Sequence, residues 1–186
     1  MGVLRPRARL KSVMEITPEW LQVRGLRALL LDLDNTLVPY KTYGEAPRDL
    51  LEWLQTLKDA GIQIMLVSNG SRGRVRYWCE RLGVLGFGPA GKPWFGFRKA
   101  LRQLALSPRE VAVVGDQLFT DVLGGNLIGA YTILIPPLSK RELGYTRLVR
   151  KLERWVLQNP GFARTAEDGE EFDPTENQPK PTISKD

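Results

Sequence analysis

Two carboxylates one residue apart follow an apolar run in the first quarter of the chain. Asp32 comes directly after Leu29–Leu31, Asp34 follows one residue later, and Asn35 and Thr36 come next. A buried strand requires the apolar residues, but burial does not explain two acidic side chains at its end. Because carboxylates are almost never fully buried without a partner, we expect this pair to face a site that holds a cation, a phosphate or both.

Further polar residues follow apolar runs later in the chain. They are Ser68, Asn69 and Gly70 after residues 62–67, Lys92 in a loop rich in glycine and proline after residues 84–87, and Asp116 after residues 111–114. Each residue alone has an ordinary explanation as a turn, a helix cap or a solvated side chain. In parallel sheets, however, ligands bind beyond the carboxyl ends of the strands, so these positions are predicted to share one edge.

The two aspartates are expected to do different work, because the pleat of a strand sends alternate side chains to opposite sides. One carboxylate can attack phosphorus and form an acyl phosphate. The other can protonate the leaving alkoxide and later activate water. Two negative groups repel a phosphate dianion, so this chemistry also requires Lys92 and a cation such as Mg²⁺.

The remaining polar residues suit the same reaction. Asp116 is the expected additional metal ligand. Ser68 and the backbone amides of Asn69 and Gly70 can hold phosphoryl oxygens before a helix.

Composition narrows the chemistry. The chain of 186 residues contains no histidine, which excludes histidine bases, Ser-His triads and histidine metal ligands. A metal should therefore be a hard, oxygen-bound ion such as Mg²⁺. The one cysteine, Cys79, excludes an intramolecular disulfide, and we interpret it as a small core residue.

Strand-length apolar runs alternate with helical patterns along the chain. The predicted strands cover residues 28–33, 62–67, 84–87, 111–114 and 131–135, and the predicted helices cover residues 47–60, 72–82, 94–105 and 118–128. Near-continuous apolar strands are typical of a parallel sheet with helices on both faces. The sequence therefore predicts an α/β fold, a doubly wound parallel sheet in three layers.

Three segments are predicted. Residues 1–27 form a basic segment with a short helix, residues 28–158 form the α/β domain, and residues 159–186 form an acidic, disordered tail. The net charge of the whole chain is +6, and it is concentrated before the tail, which favours an anionic partner. Without a signal-peptide pattern or an apolar run of about 18 residues, the expected location is cytoplasmic.

Four segments, in order, resemble the motifs of the haloacid dehalogenase superfamily. They are residues 32–36, Ser68, Lys92-Pro93 and residues 115–121. The resemblance implies a Rossmann-like core with Asp32 as nucleophile and Asp34 as general acid and base.

The same resemblance implies a set of ligands. It places Mg²⁺ on the Asp32 carboxylate, the Asp34 backbone carbonyl and Asp116. It assigns the phosphoryl group to Ser68 and Lys92. It places Thr36 and Asp121 behind these residues as supports.

The spacing of the motifs leaves no room for a large cap domain. The interval from Asp34 to Ser68 holds one loop and one helix, and the interval from Ser68 to Lys92 holds one helix and a short strand. An open site suits a large substrate or one presented on a surface. The particular residues that form these motifs, in the range 16–157, resemble those of the YqeG-like capless phosphatases. These phosphatases are similar to the mitochondrial phosphatidylglycerophosphate phosphatase. This implies a phospholipid substrate in phosphatidylglycerol synthesis.

Three basic or aromatic features of the sequence could contact a membrane. They are an amphipathic basic helix at residues 143–157, the N-terminal residues Arg5, Arg7, Arg9 and Lys11, and the aromatic residues Trp94, Phe95 and Phe97. The helix either lies at the anionic inner face of a membrane or packs on the sheet. The N-terminal arm either contacts lipid headgroups or is disordered, and the aromatic residues either rim the site or pack in a helix.

The sequence is also compatible with two other functions. The first keeps the mechanism and replaces the lipid by a soluble phosphate ester or a nucleic-acid end. The second is a basic RNA-binding or assembly protein. The complete set of catalytic residues argues against this second function, because a pure binding protein needs neither aspartate, so nucleic acid is not the expected partner.

Overall fold

The computed structural model describes residues 3–139. The predicted basic helix at residues 143–157 and the predicted tail at residues 159–186 lie outside this range. The boundary predicted at residue 158 lies outside it as well.

The described residues form one six-stranded parallel sheet. Its strands are β1 (Ala8–Arg9), β2 (Ala28–Leu31), β3 (Gln63–Val67), β4 (Leu85–Phe87), β5 (Val111–Gly115) and β6 (Tyr131–Leu134). Their order across the sheet is β1-β6-β5-β2-β3-β4, and every pair is parallel. This architecture confirms the predicted α/β class. It also places β2, which leads to the two aspartates, in the interior of the sheet.

Helices cover both faces of the sheet. They are α1 (Pro18–Gln22), α2 (Arg48–Asp59), α3 (Arg72–Leu82), α4 (Gly96–Leu104) and α5 (Leu123–Ile128). Alternate residues of β2 enter opposite cores: Leu29 and Leu31 pack in the cluster that contains α2 and α3, and Leu30 packs with α4. Because both faces are covered, all four residues of β2 are buried, as their unbroken apolar pattern predicts.

The structure differs from the expected elements in two places. Strand β1 was not predicted, and it pairs with β6 through Ala8 and Arg9, so this part of the N-terminal segment belongs to the sheet. The single helix predicted for residues 118–128 consists of a π-helical turn, Leu118–Val122, followed by α5.

The connections that precede the helices are short. Residues 32–47 join β2 to α2, and residues 68–71 join β3 to α3, so no cap domain is inserted within residues 3–139. In the same range, no helix is long and apolar enough to cross a membrane.

Candidate active site

Asp32 lies at the carboxyl end of β2, where its amide still donates to the carbonyl of Val114 at 3.0 Å. Its carboxylate contacts the ammonium of Lys92, with Lys92 Nζ donating to Asp32 Oδ1 at 2.6 Å. The same ammonium donates to Asp121 Oδ1 at 2.7 Å. Three charged groups from distant parts of the chain therefore meet at one point beyond the sheet edge.

Burial makes these contacts electrostatically strong. The Asp32 and Lys92 side chains are 7 % and 3 % exposed. Burial raises the pKa of Asp32 to about 6, against the opposing charge of Lys92. Burial alone would lower the pKa of Lys92, but the carboxylates of Asp121 and Asp32 outweigh it and raise that pKa. Lys92 is thus held as an ammonium whose charge faces the Asp32 carboxylate.

The loop that carries Lys92 is held by Asn69. The Asn69 side-chain oxygen accepts from the Lys92 amide at 2.9 Å, and its amide group donates to the Lys92 carbonyl at 3.4 Å. This pair of bonds fixes the backbone from which the ammonium extends. The predicted contact of phosphate with the Asn69 backbone amide stays a prediction, and the structure adds a positioning role for the Asn69 side chain.

Gly115 allows Asp121 to reach the same point. A Cβ atom on Gly115 would lie 2.2 Å from the Asp121 carboxyl carbon, so no larger residue fits at this position. The Gln117 amide donates to Asp121 Oδ2 at 3.2 Å. The second carboxylate oxygen is thereby left to face Lys92.

Asp34 is separated from this cluster and faces Arg74. The Arg74 guanidinium donates to Asp34 Oδ1 at 2.7 Å through Nη2, and its Nε lies 3.1 Å from both carboxylate oxygens. The amide of Lys41 also donates to Asp34 Oδ1 at 2.9 Å. The two aspartates therefore have different partners, and the different roles expected for them stay a prediction.

Helix α3 holds the loop beside Asp34. Arg74 Nη1 and the indole of Trp78 both donate to the Thr42 carbonyl. The Tyr77 hydroxyl bonds to both the amide and the carbonyl of Gly44. This loop, residues 39–46, forms the wall of the cleft on the Asp34 side.

Ser68 and Gly70 form the loop after β3. Ser68 is buried, and its hydroxyl accepts from the Gly70 amide at 3.1 Å. A Cβ atom on Gly70 would lie 3.5 Å from Asp34 Oδ2, which places this loop against the second aspartate. In this structure the Gly70 amide bonds within the loop, and its predicted contact with phosphate stays a prediction.

Thr36 and Asn35 shape the turn after the aspartates. Buried Thr36 lies with its hydroxyl 3.5 Å from Asp32 Oδ2. Asn35 has φ 65°, a left-handed conformation that asparagine tolerates better than most residues. Its side-chain oxygen accepts from the Tyr40 amide and from the Ser139 hydroxyl. Asn35 thus ties the turn to the segment that follows β6.

Three buried carboxylates fit a divalent cation. Asp32, Asp116 and Asp121 each offer one oxygen, and these oxygens lie within 4.8 Å of one another. An all-oxygen donor set of this charge suits a hard ion such as Mg²⁺. The side chain of Asp34 is not part of this group, and its predicted contribution through the backbone carbonyl stays a prediction.

These residues line a cleft of about 590 Å³. Its floor contains Asp32, Ser68 and Lys92, and its walls include Tyr40, Tyr43, Arg74, Gln117 and Thr120. Of the three aromatic residues that follow Lys92, only Phe97 is buried, and it packs in the core. Trp94 and Phe95 are exposed, so the aromatic group is divided between core and surface.

Arg74 is the main residue that the sequence did not indicate. It lies between Arg72 and Arg76 in a helix with several cationic positions, so its type and spacing predict a solvated side chain. Only its burial, in contact with Asp34, distinguishes it from these neighbours. A buried arginine with a carboxylate partner forms only when the two elements have packed.

The sheet holds a buried lysine between two aspartates at its carboxyl edge, an arrangement whose charges can support phosphoryl transfer. A family model described as haloacid dehalogenase-like hydrolase matches residues 42–129. The chain is 40% identical over 148 residues to a Bacillus subtilis protein named "Probable phosphatase YqeG", and the match covers 79% of this chain and 86% of that protein. The chain belongs to the haloacid dehalogenase-like hydrolases. It is a phosphatase, as the motif resemblance implied.

Two further proteins are similar to this chain. Phosphatidylglycerophosphate phosphatase 1, chloroplastic/mitochondrial, of Arabidopsis thaliana is 26% identical over 170 residues, covering 82% of this chain and 47% of that protein. A cobalt-bound deoxy-D-mannose-octulosonate 8-phosphate phosphatase of Haemophilus influenzae has a TM-score of 0.50 at 17% identity, covering 75% of this chain and 92% of that one. At this identity the structural likeness shows the shared fold alone.

Proposed function

We propose that the protein is a Mg²⁺-dependent phosphomonoesterase that forms an aspartyl phosphate on Asp32 and acts on phosphatidylglycerophosphate. The observation that carries the mechanism is the buried contact between Asp32 and Lys92 at the floor of an open cleft. A carboxylate in this position can attack phosphorus while the ammonium offsets the charge on the phosphoryl oxygens.

In the first step, an Asp32 carboxylate oxygen attacks phosphorus and the bond from phosphorus to the ester oxygen breaks. The departing alkoxide takes a proton from the carboxyl group of Asp34. Lys92 and the Ser68 hydroxyl hold the phosphoryl oxygens during this transfer. Asp34 and Lys92 both line the cleft and have different partners, Arg74 for Asp34 and Asp32 with Asp121 for Lys92.

In the second step, the Asp34 carboxylate takes a proton from water as the water oxygen attacks phosphorus. The bond between phosphorus and Asp32 breaks, which releases inorganic phosphate and restores both aspartates. Arg74 holds the Asp34 side chain in place for both steps, because its guanidinium donates to both carboxylate oxygens.

The metal is assigned to Asp32 and Asp116, with the Asp34 carbonyl as a third ligand and Asp121 supporting the site beside Lys92. When bound, Mg²⁺ supplies positive charge that stabilises the negative charge of the transition state. The three buried carboxylate oxygens support this assignment by their chemistry.

Two observations support a phospholipid substrate. One similar protein is named phosphatidylglycerophosphate phosphatase, and its match extends over 82% of this chain. The cleft also has no cap over it within residues 3–139, so an ester on a membrane surface can enter without complete enclosure. On this proposal, the enzyme works from the cytoplasmic side at the inner membrane face.

The mechanism is tested with Asp32→Asn and, as a matched control, Asp59→Asn at the exposed end of α2. Asp32→Asn should lower turnover by more than about a thousandfold, because it removes the nucleophile. Asp59→Asn should leave turnover unchanged. Mass spectrometry of an acid-quenched reaction should find phosphorylation at Asp32. Retained Mg²⁺-dependent turnover in purified Asp32→Asn protein would refute the mechanism.

The substrate is tested by phosphate release from phosphatidylglycerophosphate in vesicles, sugar phosphates, nucleotides and nucleic-acid ends. We expect the highest kcat/KM for the lipid. A soluble ester that is hydrolysed well while the lipid releases no phosphate would overturn the lipid assignment and leave the phosphatase mechanism standing.

A further inference from the structure

The segment around strand β4 and helix α4 is unusual in charge and exposure. Residues 82–109 contain five lysine and arginine residues and neither aspartate nor glutamate. Three of the large apolar side chains exposed on the described residues also lie here: Leu85, Trp94 and Phe95, which are 71%, 60% and 75% exposed. Exposed large apolar side chains in a segment with several cations and no carboxylate indicate a contact with an anionic, partly apolar partner.

These features are close together in space. We define the aromatic–cationic face as Leu85, Trp94, Phe95, Arg98, Lys99 and Arg102. A cavity of about 310 Å³ lies within this face, lined in part by Phe95 and by all three cations. Lys99 Nζ lies 4.4 Å from the centroid of the Phe87 ring. Among residues 3–139, no carboxylate forms an ion pair with Arg98, Lys99 or Arg102.

The face adjoins the catalytic cleft through a single loop. This loop, between β4 and α4, sends Lys92 inward to Asp32 and leaves Trp94 and Phe95 on the outside. Two residues span at most about 7 Å, so the Trp94 backbone is close to that of Lys92. A partner that contacts Trp94 and Phe95 would therefore lie beside the loop that carries Lys92.

We propose that the aromatic–cationic face docks the protein on an anionic lipid membrane. Tryptophan favours the boundary between headgroups and acyl chains, and lysine and arginine are attracted to anionic headgroups. Leu85 favours lipid over nucleic acid as the partner, because an aliphatic side chain can enter an apolar layer but cannot stack on a base. The docking itself does not depend on the proposed function. Only the statement that the substrate lies in that membrane rests on it.

Docking explains how an uncapped cleft can select a membrane ester. The membrane itself closes the open side of the site, and the loop that holds Lys92 is the part nearest to it. The enzyme then needs no large complementary pocket for the acyl chains, which stay in the bilayer.

The test is co-sedimentation with vesicles of phosphatidylcholine alone and with vesicles rich in phosphatidylglycerol. The wild-type protein should bind the second and not the first. The triple variant Arg98→Gln/Lys99→Gln/Arg102→Gln should bind about a hundredfold more weakly, because each cation near an anionic surface contributes about fivefold. Trp94→Ala/Phe95→Ala should also weaken binding, and the emission of Trp94 should shift to shorter wavelength on docking.

A matched control separates the face from overall charge. Arg72→Gln/Arg76→Gln/Arg81→Gln removes the same charge from α3, which packs on the other side of the sheet, and should bind vesicles within a few fold of wild type. All variants should hydrolyse p-nitrophenyl phosphate at the wild-type rate, because none of these side chains lines the catalytic cleft. This activity also reports that each variant is folded.

The outcomes distinguish docking from substrate choice. Equal binding of wild type and the Arg98/Lys99/Arg102 variant would overturn the docking proposal, as would absence of wild-type binding to either vesicle. Tight binding of a single-stranded RNA that the same variant loses, without vesicle binding, would identify a nucleic-acid surface instead. Normal docking without phosphate release from the lipid would overturn the proposed substrate and leave the docking face in place.

Discussion

Arg74 connects the acid/base candidate to the wall of the cleft. Its guanidinium bonds to both oxygens of Asp34 and to the carbonyl of Thr42, and its charged carbon lies 4.9 Å from the Tyr43 ring centroid. One buried side chain thus fixes the orientation of a carboxylate and the position of a loop. A lysine could supply the charge but not the planar fork of donors.

Arg74→Lys should impair hydrolysis of alkyl phosphates at least about tenfold more than hydrolysis of p-nitrophenyl phosphate. The alkoxide requires a proton from a correctly placed Asp34, whereas p-nitrophenolate leaves without one. The measurement is kcat/KM for both esters. Arg76→Lys, on an exposed position of the same helix, is the control. An equal loss on both esters would show that Arg74 only maintains the structure.

Cys79 should react slowly with thiol reagents. Burial and the neighbouring charge of Glu80 raise the pKa of this thiol from 9.0 to about 11. Because the thiolate is the reactive form, the native protein should be labelled roughly a hundredfold more slowly at pH 8 than the same protein unfolded in urea. Labelling rates measured with a chromogenic disulfide test this. Equal rates would contradict the burial of Cys79.

At the residue scale, the sequence was most informative where polar side chains follow apolar strands. Asp32, Ser68 and Asp116 are conspicuous in the sequence, because the burial of an apolar strand does not require a polar residue at its end. Arg74 could not be found in this way. Its partner is 40 positions away along the chain, and only the packing of α3 against the turn after β2 brings the two together.

At the scale of elements, β4 depends on a close approach at Gly86. A Cβ atom there would lie 2.6 Å from the Leu66 Cβ and 2.7 Å from the Cys79 sulfur. Strand β3 lies on one side and helix α3 on the other, so neither atom can move away freely.

Gly86→Ala should lower the free energy of unfolding by about 1–3 kcal/mol, since it forces atoms into a packed region. Gly73→Ala is the matched control, because nothing lies within 4 Å of its Cβ position in α3. It should be neutral or stabilise by up to about 1 kcal/mol. Denaturant unfolding measures both. Equal stability of the two variants would contradict the packing around β4.

The sequence predicts a helix or strand well where the element is long enough to show the periodic pattern of apolar residues that is typical of its type. Helix α3 was predicted with both of its observed ends, Arg72 and Leu82. Strand β1 was missed because two residues, one of them Arg9, show no period. Its place follows from backbone bonds to β6, such as that from Leu10 to Leu134 at 3.1 Å, which only the folded sheet supplies.

At the scale of the whole molecule, the buried carboxylates couple metal binding to folding. Asp32, Asp116 and Asp121 bring three negative charges together, and Lys92 offsets one. A divalent cation that binds only the folded state would neutralise the rest and shift the folding equilibrium by mass action.

Adding Mg²⁺ at a hundred times its Kd should stabilise the protein by about 2.7 kcal/mol, or about 5–10 °C in Tm. Asp116→Asn should reduce this gain. It should also raise Tm in EDTA, because it relieves repulsion among the carboxylates. Thermal unfolding with and without Mg²⁺ measures both effects, with Asp59→Asn as the control. An unchanged Mg²⁺ response in Asp116→Asn would remove Asp116 from the metal site.

The order of the strands gives different local stabilities to the two strands that lead to the Asp32–Lys92 contact, which are β2 before Asp32 and β4 before Lys92. Strand β2 is bonded on both sides, by β3 and β5, whereas β4 has three residues and, among the strands of residues 3–139, is bonded only to β3. Amide hydrogens of an interior strand exchange only when the whole sheet opens, and an edge strand frays at lower cost. On warming, the loop that holds Lys92 should therefore loosen while Asp32 is still in place. With the phosphate-binding role that we propose for Lys92, heat inactivation would begin as a loss of phosphate affinity in a molecule that is still folded.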